Sequence, residues 1–134
     1  METITIENDI KVFFVTAESF PEGIMEAFNK LNEIIPLSSV KRIFGLSRIE
    51  NGIIVYKAAA EVNDTGESEK IIRDTLVIKN GNYICRTIHD YMKDLPAIGL
   101  VFKELLSNPG IDPEGYCVEW YVSENEVKCM VRLA

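Results

Sequence analysis

Hydrophobic and polar residues alternate with a period of two along most of this chain, as expected for strands that bury one face. The alternation runs through residues 3–6, 10–17, 40–49, 53–62, 75–79, 82–88, 116–122 and 126–133. Short polar segments separate successive strands, and two of them are Asn51-Gly52 and Asn80-Gly81, which favour tight hairpin turns. The pattern therefore predicts eight strands, joined in sequence order as four hairpins.

In two segments the apolar residues recur with the spacing of an amphipathic helix. In the first, Ser19 is the predicted N-cap, Pro21 lies in the first turn, Glu22 occupies the capping-box position and Pro36 ends the helix. The apolar face of this helix is formed by Ile24, Phe28, Leu31 and Ile35. The second predicted helix opens at Asp94 and Pro96 and ends before Asn108-Pro109-Gly110; its apolar face is formed by Ile98, Phe102 and Leu105.

The order of elements is hairpin, helix, hairpin, written twice. We therefore interpret residues 1–134 as one domain with pseudo-repeats 1–62 and 73–134 and a polar connector at 63–72. The predicted class is α+β: duplicated β-β-α-β-β halves, with antiparallel sheets and two main helices. A ligand cleft is expected where the halves meet.

The charge of the chain and its sequence motifs restrict the range of functions to consider. The chain has 14 basic and 21 acidic residues, a net charge of −7, and no basic cluster, so neither nucleic acid nor a membrane is an expected partner. We identify no signal peptide and no apolar span, which predicts a cytoplasmic protein. Three scattered cysteines indicate reduced thiols, and a single histidine, His89, supports no metal site. No cofactor motif occurs.

Glu119 is the most unusual residue of the pattern. It lies in the strand-like segment Gly115–Tyr121, and alternation places it on the same face as Cys117 and Tyr121. A carboxylate beside aromatic rings is a plausible site for an organic cation, because the rings offer negative faces and the acid supplies the countercharge. The alternative is a surface acid on the solvent side of an antiparallel sheet.

Three further aromatic residues on strands are candidates for a pocket wall or for the core: Phe44, Tyr56 and Tyr83. The small residues 58–60 leave room for another body, either a packed helix or a ligand.

The chain resembles the GyrI-like (gyrase-inhibitor-like) small-molecule-binding family, which includes the effector-binding domains of multidrug-responsive bacterial transcription activators. The resemblance rests on Gly81-Asn82-Tyr83, the helix 94–106, Glu119-Trp120-Tyr121 and the final strand 127–133, and more loosely on residues 12–34 and 53–62. It implies a pocket between the halves in which Glu119 meets the ligand, with Tyr121 beside it and Tyr83 as a wall. A DNA-binding segment, present in the family's regulators, is not expected here.

The predicted function is therefore a stand-alone binding domain for amphipathic or cationic aromatic compounds. It would act as a sensor or sequestering protein in transcription or drug response, and a partner regulator protein is part of this expectation. Two alternatives stay open. One is a small hydrolase of strained electrophiles, with Glu119 as general base and Tyr121 as hydrogen-bond donor. The other is a protein-binding inhibitor that uses the acidic surface. Binding without catalysis is the favoured interpretation.

Overall fold

The described residues form one antiparallel sheet of eight strands. A computed structural model describes residues 1–63 and 74–134, so the predicted connector 63–72 lies outside the described residues except for Asn63. The sheet curls, and its strand order is β1-β6-β8-β7-β3-β4-β2-β5. The strands are β1 (Glu2–Ile6), β2 (Ile10–Thr16), β3 (Val40–Glu50), β4 (Ile53–Val62), β5 (Thr75–Ile78), β6 (Gly81–His89), β7 (Cys117–Ser123) and β8 (Glu126–Arg132).

Two of the four predicted hairpins are confirmed. Strands β3 and β4 pair around Asn51-Gly52, where both turn residues have positive φ (53° and 82°), and β7 pairs with β8. The other two predictions are wrong, because β1 pairs with β6 and β2 pairs with β5. At 80–81 only Gly81 has a positive φ, and the N–H of Asn80 donates to Asp9 Oδ1 at 2.8 Å, so this dipeptide does not close a tight hairpin.

Two helices pack on the same face of the sheet, which we call the helix face. They are α1 (Ile24–Ile34) and α2 (Pro96–Leu106). The second predicted helix is present, but it begins at Pro96, preceded by Leu95, and not at Asp94; the predicted N-cap of α1 is wrong. Gly23 precedes α1, and the N–H of Gly23 donates to the Ser19 carbonyl at 3.2 Å, so Ser19 lies in a turn before the helix.

The α+β class is confirmed, and the core has three parts. One part lies beneath α1, where Ala58 and Ala60 pack with Ala27 and Leu31, so the small residues of β4 admit a helix. The second lies beneath α2. The third covers the opposite face of the sheet and joins apolar residues from all eight strands, including both edge strands. Residues from opposite edges meet there because the sheet curls toward that face, which we call the inner face.

Candidate functional site

Glu119 lies on the helix face in the middle of the sheet, where β7 pairs with β3. Two phenols donate hydrogen bonds to the same carboxylate oxygen. Tyr56 Oη, from β4, lies 2.9 Å from Glu119 Oε1, and Tyr121 Oη, two residues along β7, lies 2.5 Å from it. The acid is therefore held by one residue of its own strand and one residue that lies 63 positions earlier in the chain.

Gly45 makes the contact between Tyr56 and Glu119 possible. It lies on β3, between the two strands that carry these residues, and is directly opposite Glu119 in the ladder. A Cβ atom at this position would lie 2.0 Å from Tyr56 Oη and 2.6 Å from Glu119 Oε1. The phenol can cross β3 because the central strand has no side chain at this point.

Aromatic rings surround the two phenols. Phe20 stacks on Tyr56 with ring centroids 6.0 Å apart. Phe28, from α1, meets both phenols edge-on at 6.2 Å and 5.9 Å. Tyr91, in the short 3₁₀ turn before α2, contacts Tyr121 at 5.4 Å. These geometries are typical of favourable ring packing. The carboxylate therefore lies among five rings that come from both halves of the chain.

The Glu119 side chain is buried without a cation. Glu119 is 8% exposed to solvent, and no lysine or arginine in the described part of the chain forms an ion pair with its carboxylate. Burial raises the pKa of Glu119 above its usual value, and the hydrogen bonds from Tyr121 and Tyr56 partly oppose this shift. The surface-acid alternative for Glu119 is therefore wrong.

The groups around Glu119 hold their protons. Burial and then the negative charge of Glu119 raise the pKa values of Tyr56 and Tyr121. The same two causes raise the pKa of Cys117 to about 11, and burial with Glu119 as the next cause raises that of Cys129 to about 12. At neutral pH the phenols are donors and the thiols are unreactive, so Glu119 is the group of this site that can carry a negative charge.

The structure brings together three of the five predicted site residues: Glu119, Tyr121 and Tyr56. The other two, Phe44 and Tyr83, lie on the inner face, in the core of that side. Phe44 packs against Trp120 with centroids 6.4 Å apart, and Tyr83 Oη donates to the Lys79 carbonyl at 2.6 Å.

Sequence reasoning missed four contributors to the site: Gly45, Phe20, Phe28 and Tyr91. Gly45 alone carried a usable signal, because a glycine inside a strand pattern often marks a close approach. The pattern places Phe28 on the apolar face of α1, but it does not reveal that this face extends over a phenol on β4.

The described residues contain no group of three or more His, Cys, Asp or Glu side chains that could hold a metal ion. None of the helices in residues 1–63 and 74–134 has the length and apolar character needed to cross a membrane.

No family model matches this sequence, and no curated protein matches it. Solved structures do match. An integron cassette protein from Vibrio cholerae aligns over 99% of this chain and 95% of its own, with a TM-score of 0.68 and 13% identity. SAV2435, solved bound to tetraphenylphosphonium, aligns over 99% and 93%, with a TM-score of 0.68 and 10% identity. A hydrolase from Listeria innocua aligns over 99% and 90%, with a TM-score of 0.59 and 10% identity.

These likenesses show the fold. The shared architecture extends over nearly the whole of each chain, so the site at the β3–β7 pair belongs to a fold that others also use. At 10–13% identity, the likenesses assign no ligand and no reaction to this chain.

Proposed function

We propose that this protein is a GyrI-like domain that binds amphipathic organic cations, with Glu119 as the countercharge and the surrounding rings as the walls. The observation that carries the proposal is a buried carboxylate among aromatic rings without a cationic partner in the described residues. A role in sensing or sequestering such compounds in the cytoplasm, coupled to transcription or drug response, is part of the same proposal.

The charge of Glu119 explains why a cation fits better than a neutral ligand. A buried carboxylate loses hydration, and two phenol hydrogen bonds to one oxygen replace only part of it. A lipophilic cation supplies the missing opposite charge without introducing hydrogen-bond donors that need partners of their own. The faces of Phe20, Phe28 and Tyr91 add cation–π attraction. Support from outside the chain comes from SAV2435, which has the same fold and is bound to a lipophilic cation.

Binding also requires movement of the rings. Phe28 contacts both Tyr56 and Tyr121, and Phe20 stacks on Tyr56, so these side chains fill the space over the acid. Phe20 precedes α1 and is 41% exposed, which makes it the ring with the most freedom to turn outward. We expect the ligand to take the place of Phe20 or Phe28 against the phenols.

The test compares tetraphenylphosphonium with tetraphenylborate, which has nearly the same shape and the opposite charge. We expect the phosphonium to bind and to stabilise the protein by about 2.7 kcal/mol at a hundred times its Kd. The borate should give no comparable shift. Glu119→Gln should weaken phosphonium binding by about tenfold or more, because a contact to a charged group is lost.

Glu33→Gln is the matched control, because it removes the same charge from the exposed side of α1. Equal phosphonium affinity in the two variants would refute the proposal, as would equal binding of the borate.

A hydrolase is the second candidate, and the raised pKa of Glu119 favours it. A buried carboxylate with a raised pKa is a better general base, and Tyr121, whose hydroxyl donates to Glu119 Oε1, would turn that donor toward a substrate oxygen. In epoxide hydrolysis, for example, water would lose a proton to Glu119 and attack a ring carbon. The C–O bond would break, and its oxygen would take up the proton that Glu119 has gained, which gives the diol and restores the carboxylate.

Styrene oxide is a suitable probe for this candidate, with diol formation followed by chromatography. Turnover that is lost in Glu119→Gln and kept in Glu33→Gln would establish catalysis. Absence of diol from wild-type protein, together with phosphonium binding, would leave the binding function alone.

A further inference from the structure

A cavity of about 340 Å³ lies on the inner face of the sheet, on the opposite side from Glu119. Its walls include apolar, aromatic and cationic side chains: Arg48, Val77, Tyr83, Tyr116, Val118 and Arg132. Val118 and Glu119 are neighbours on β7 and therefore point to opposite faces, so the sheet itself separates the two sites.

The cavity forms where the curl of the sheet brings two distant strands together. Strands β5 and β6 lie far apart in the strand order, yet only Lys79 and Asn80 connect them. Tyr83 Oη donates to the Lys79 carbonyl at 2.6 Å, and this hydrogen bond holds the two-residue connection between β5 and β6 in place. The segment before β7, at Asp112 to Tyr116, closes the other side. Concave sites of this size, with an apolar floor and a few placed polar groups, are typical of small-molecule sites.

Arg132 is a fixed cation at the edge of the cavity. Its Nε donates to the Asn80 carbonyl at 2.8 Å, and its Nη1 lies 3.2 Å from Asp112 Oδ2. The guanidinium packs against Gly81, where a Cβ would lie 3.1 Å from Nε and Nη2. The side chain is therefore held in one position before any ligand arrives.

Arg48 is a second fixed cation. Its guanidinium lies over the Tyr116 ring at 4.3 Å, its Nε donates to Glu50 Oε2 at 3.0 Å, and its Nη1 donates to the Glu114 carbonyl at 3.3 Å. In the described part of the chain, the hydrogen bonds of Arg48 and Arg132 use Nε and Nη1. The Nη2 group of each arginine is thus available to an added acceptor.

The charge balance of the lining favours an anion. In a chain with a net charge of −7, this lining holds three cations, Arg48, Lys79 and Arg132, against the two acids Asp112 and Glu114. Asp112 is already paired with Arg132, and Glu50, outside the lining, is paired with Arg48. The attraction for an anion therefore comes from Lys79 and from the Nη2 groups that the two guanidinium groups keep for a further acceptor. A carboxylate matches the fork of a guanidinium, and a planar ring fits beside Tyr116 and the apolar side chains of Ile78 and Val118.

We propose that this cavity is a second ligand site, which takes a small aromatic monocarboxylate. The carboxylate lies between the arginines, and the ring lies on the apolar floor. The protein then has two sites on opposite faces of one strand, with opposite charge preference.

The experiment uses three probes with one ring system: naphthalene-2-carboxylate, the neutral 2-naphthamide and the cationic 2-naphthylmethylammonium. Binding is followed by the methyl NMR signals of the full-length protein. Ile78 and Val118 report on this cavity, whereas Leu31 and Leu105 report on the helix face. We expect the carboxylate at millimolar concentrations to shift the first pair and leave the second pair in place, and the amide to bind about tenfold more weakly or worse.

Arg48→Gln should weaken the carboxylate by about tenfold, since it removes a charged donor. Arg86→Gln is the control, because Arg86 is paired with Glu104 on the helix side. Glu119→Gln should leave carboxylate binding unchanged. The proposal is overturned if the carboxylate shifts neither reporter, if it shifts the helix-face reporters instead, if the amide binds equally well, or if Arg48→Gln and Arg86→Gln have the same affinity.

Discussion

Gly45→Ala tests whether the site depends on an open position in the middle of β3. The added Cβ would lie 2.0 Å from Tyr56 Oη and 2.6 Å from Glu119 Oε1, distances that no packing tolerates. The phenol must move away, and its hydrogen bond to the carboxylate must break. The variant therefore removes an interaction between two other residues without altering either of them.

The size of the effect follows from three contributions. Loss of a hydrogen bond to a charged group costs about 1.5–3 kcal/mol. Displacing the Tyr56 ring from its contacts with Phe20 and Phe28 adds an overpacking cost of about 1–3 kcal/mol. Replacing glycine returns about 0.5–1 kcal/mol, because the unfolded chain loses freedom. We expect a net loss of about 1.5–5.5 kcal/mol.

Urea unfolding followed by the fluorescence of Trp120, the single tryptophan, measures this loss. Gly99→Ala is the control: a Cβ at Gly99, within α2, has no atom within 4 Å, so this variant should gain about 0.5–1 kcal/mol. A Gly45→Ala protein as stable as wild type would refute the proposed crossing. In the Tyr56→Phe background the cost of Gly45→Ala should fall, because the hydrogen bond is already absent.

Three further predictions concern protons at the site. Burial raises the pKa of Glu119 in the folded state, so the folded state keeps this proton at pH values where the unfolded state has lost it. The free energy of unfolding of wild type should therefore fall relative to that of Glu119→Gln as pH rises above about 4.5. Parallel curves of unfolding free energy against pH would contradict this. Tyr121→Phe and Tyr56→Phe each remove a hydrogen bond that lowers the pKa of Glu119, so carbon NMR of its carboxyl group should show a higher pKa in both, with the larger change for Tyr121→Phe. With pKa values of about 11 and 12, Cys117 and Cys129 should react with a disulfide reagent at pH 8 far more slowly in folded than in urea-unfolded protein; complete labelling of folded protein during mixing would contradict the buried environment.

The local pattern of apolar and polar residues predicts where the strands lie and singles out Glu119, but it does not predict which strands pair. Alternation located all eight strands and placed Glu119 and Tyr121 on one face. It paired β1 with β2 because neighbours in sequence usually pair, whereas the structure exchanges β1 and β5 between the two ends of the sheet. That exchange depends on the turn geometry at residues 80–81 and on the curl of the whole sheet, and neither is encoded in a period of two. Likewise, Phe44 and Tyr56 look alike as strand aromatics, and only the register assigns them to opposite faces.

The register also bears on the proposal that the charge at position 119 serves ligand binding. A glutamine could accept the same two phenol hydrogen bonds through its carbonyl oxygen and would avoid burying a negative charge. The carboxylate lies at the β3–β7 pair, where a strand of the N-terminal half meets a strand of the C-terminal half. The free-energy cost of desolvating the charge therefore weakens the pairing between the two halves. No cation in the described residues offsets that cost. A binding partner of opposite charge would offset it, and the charge at Glu119 is then an argument for such a ligand.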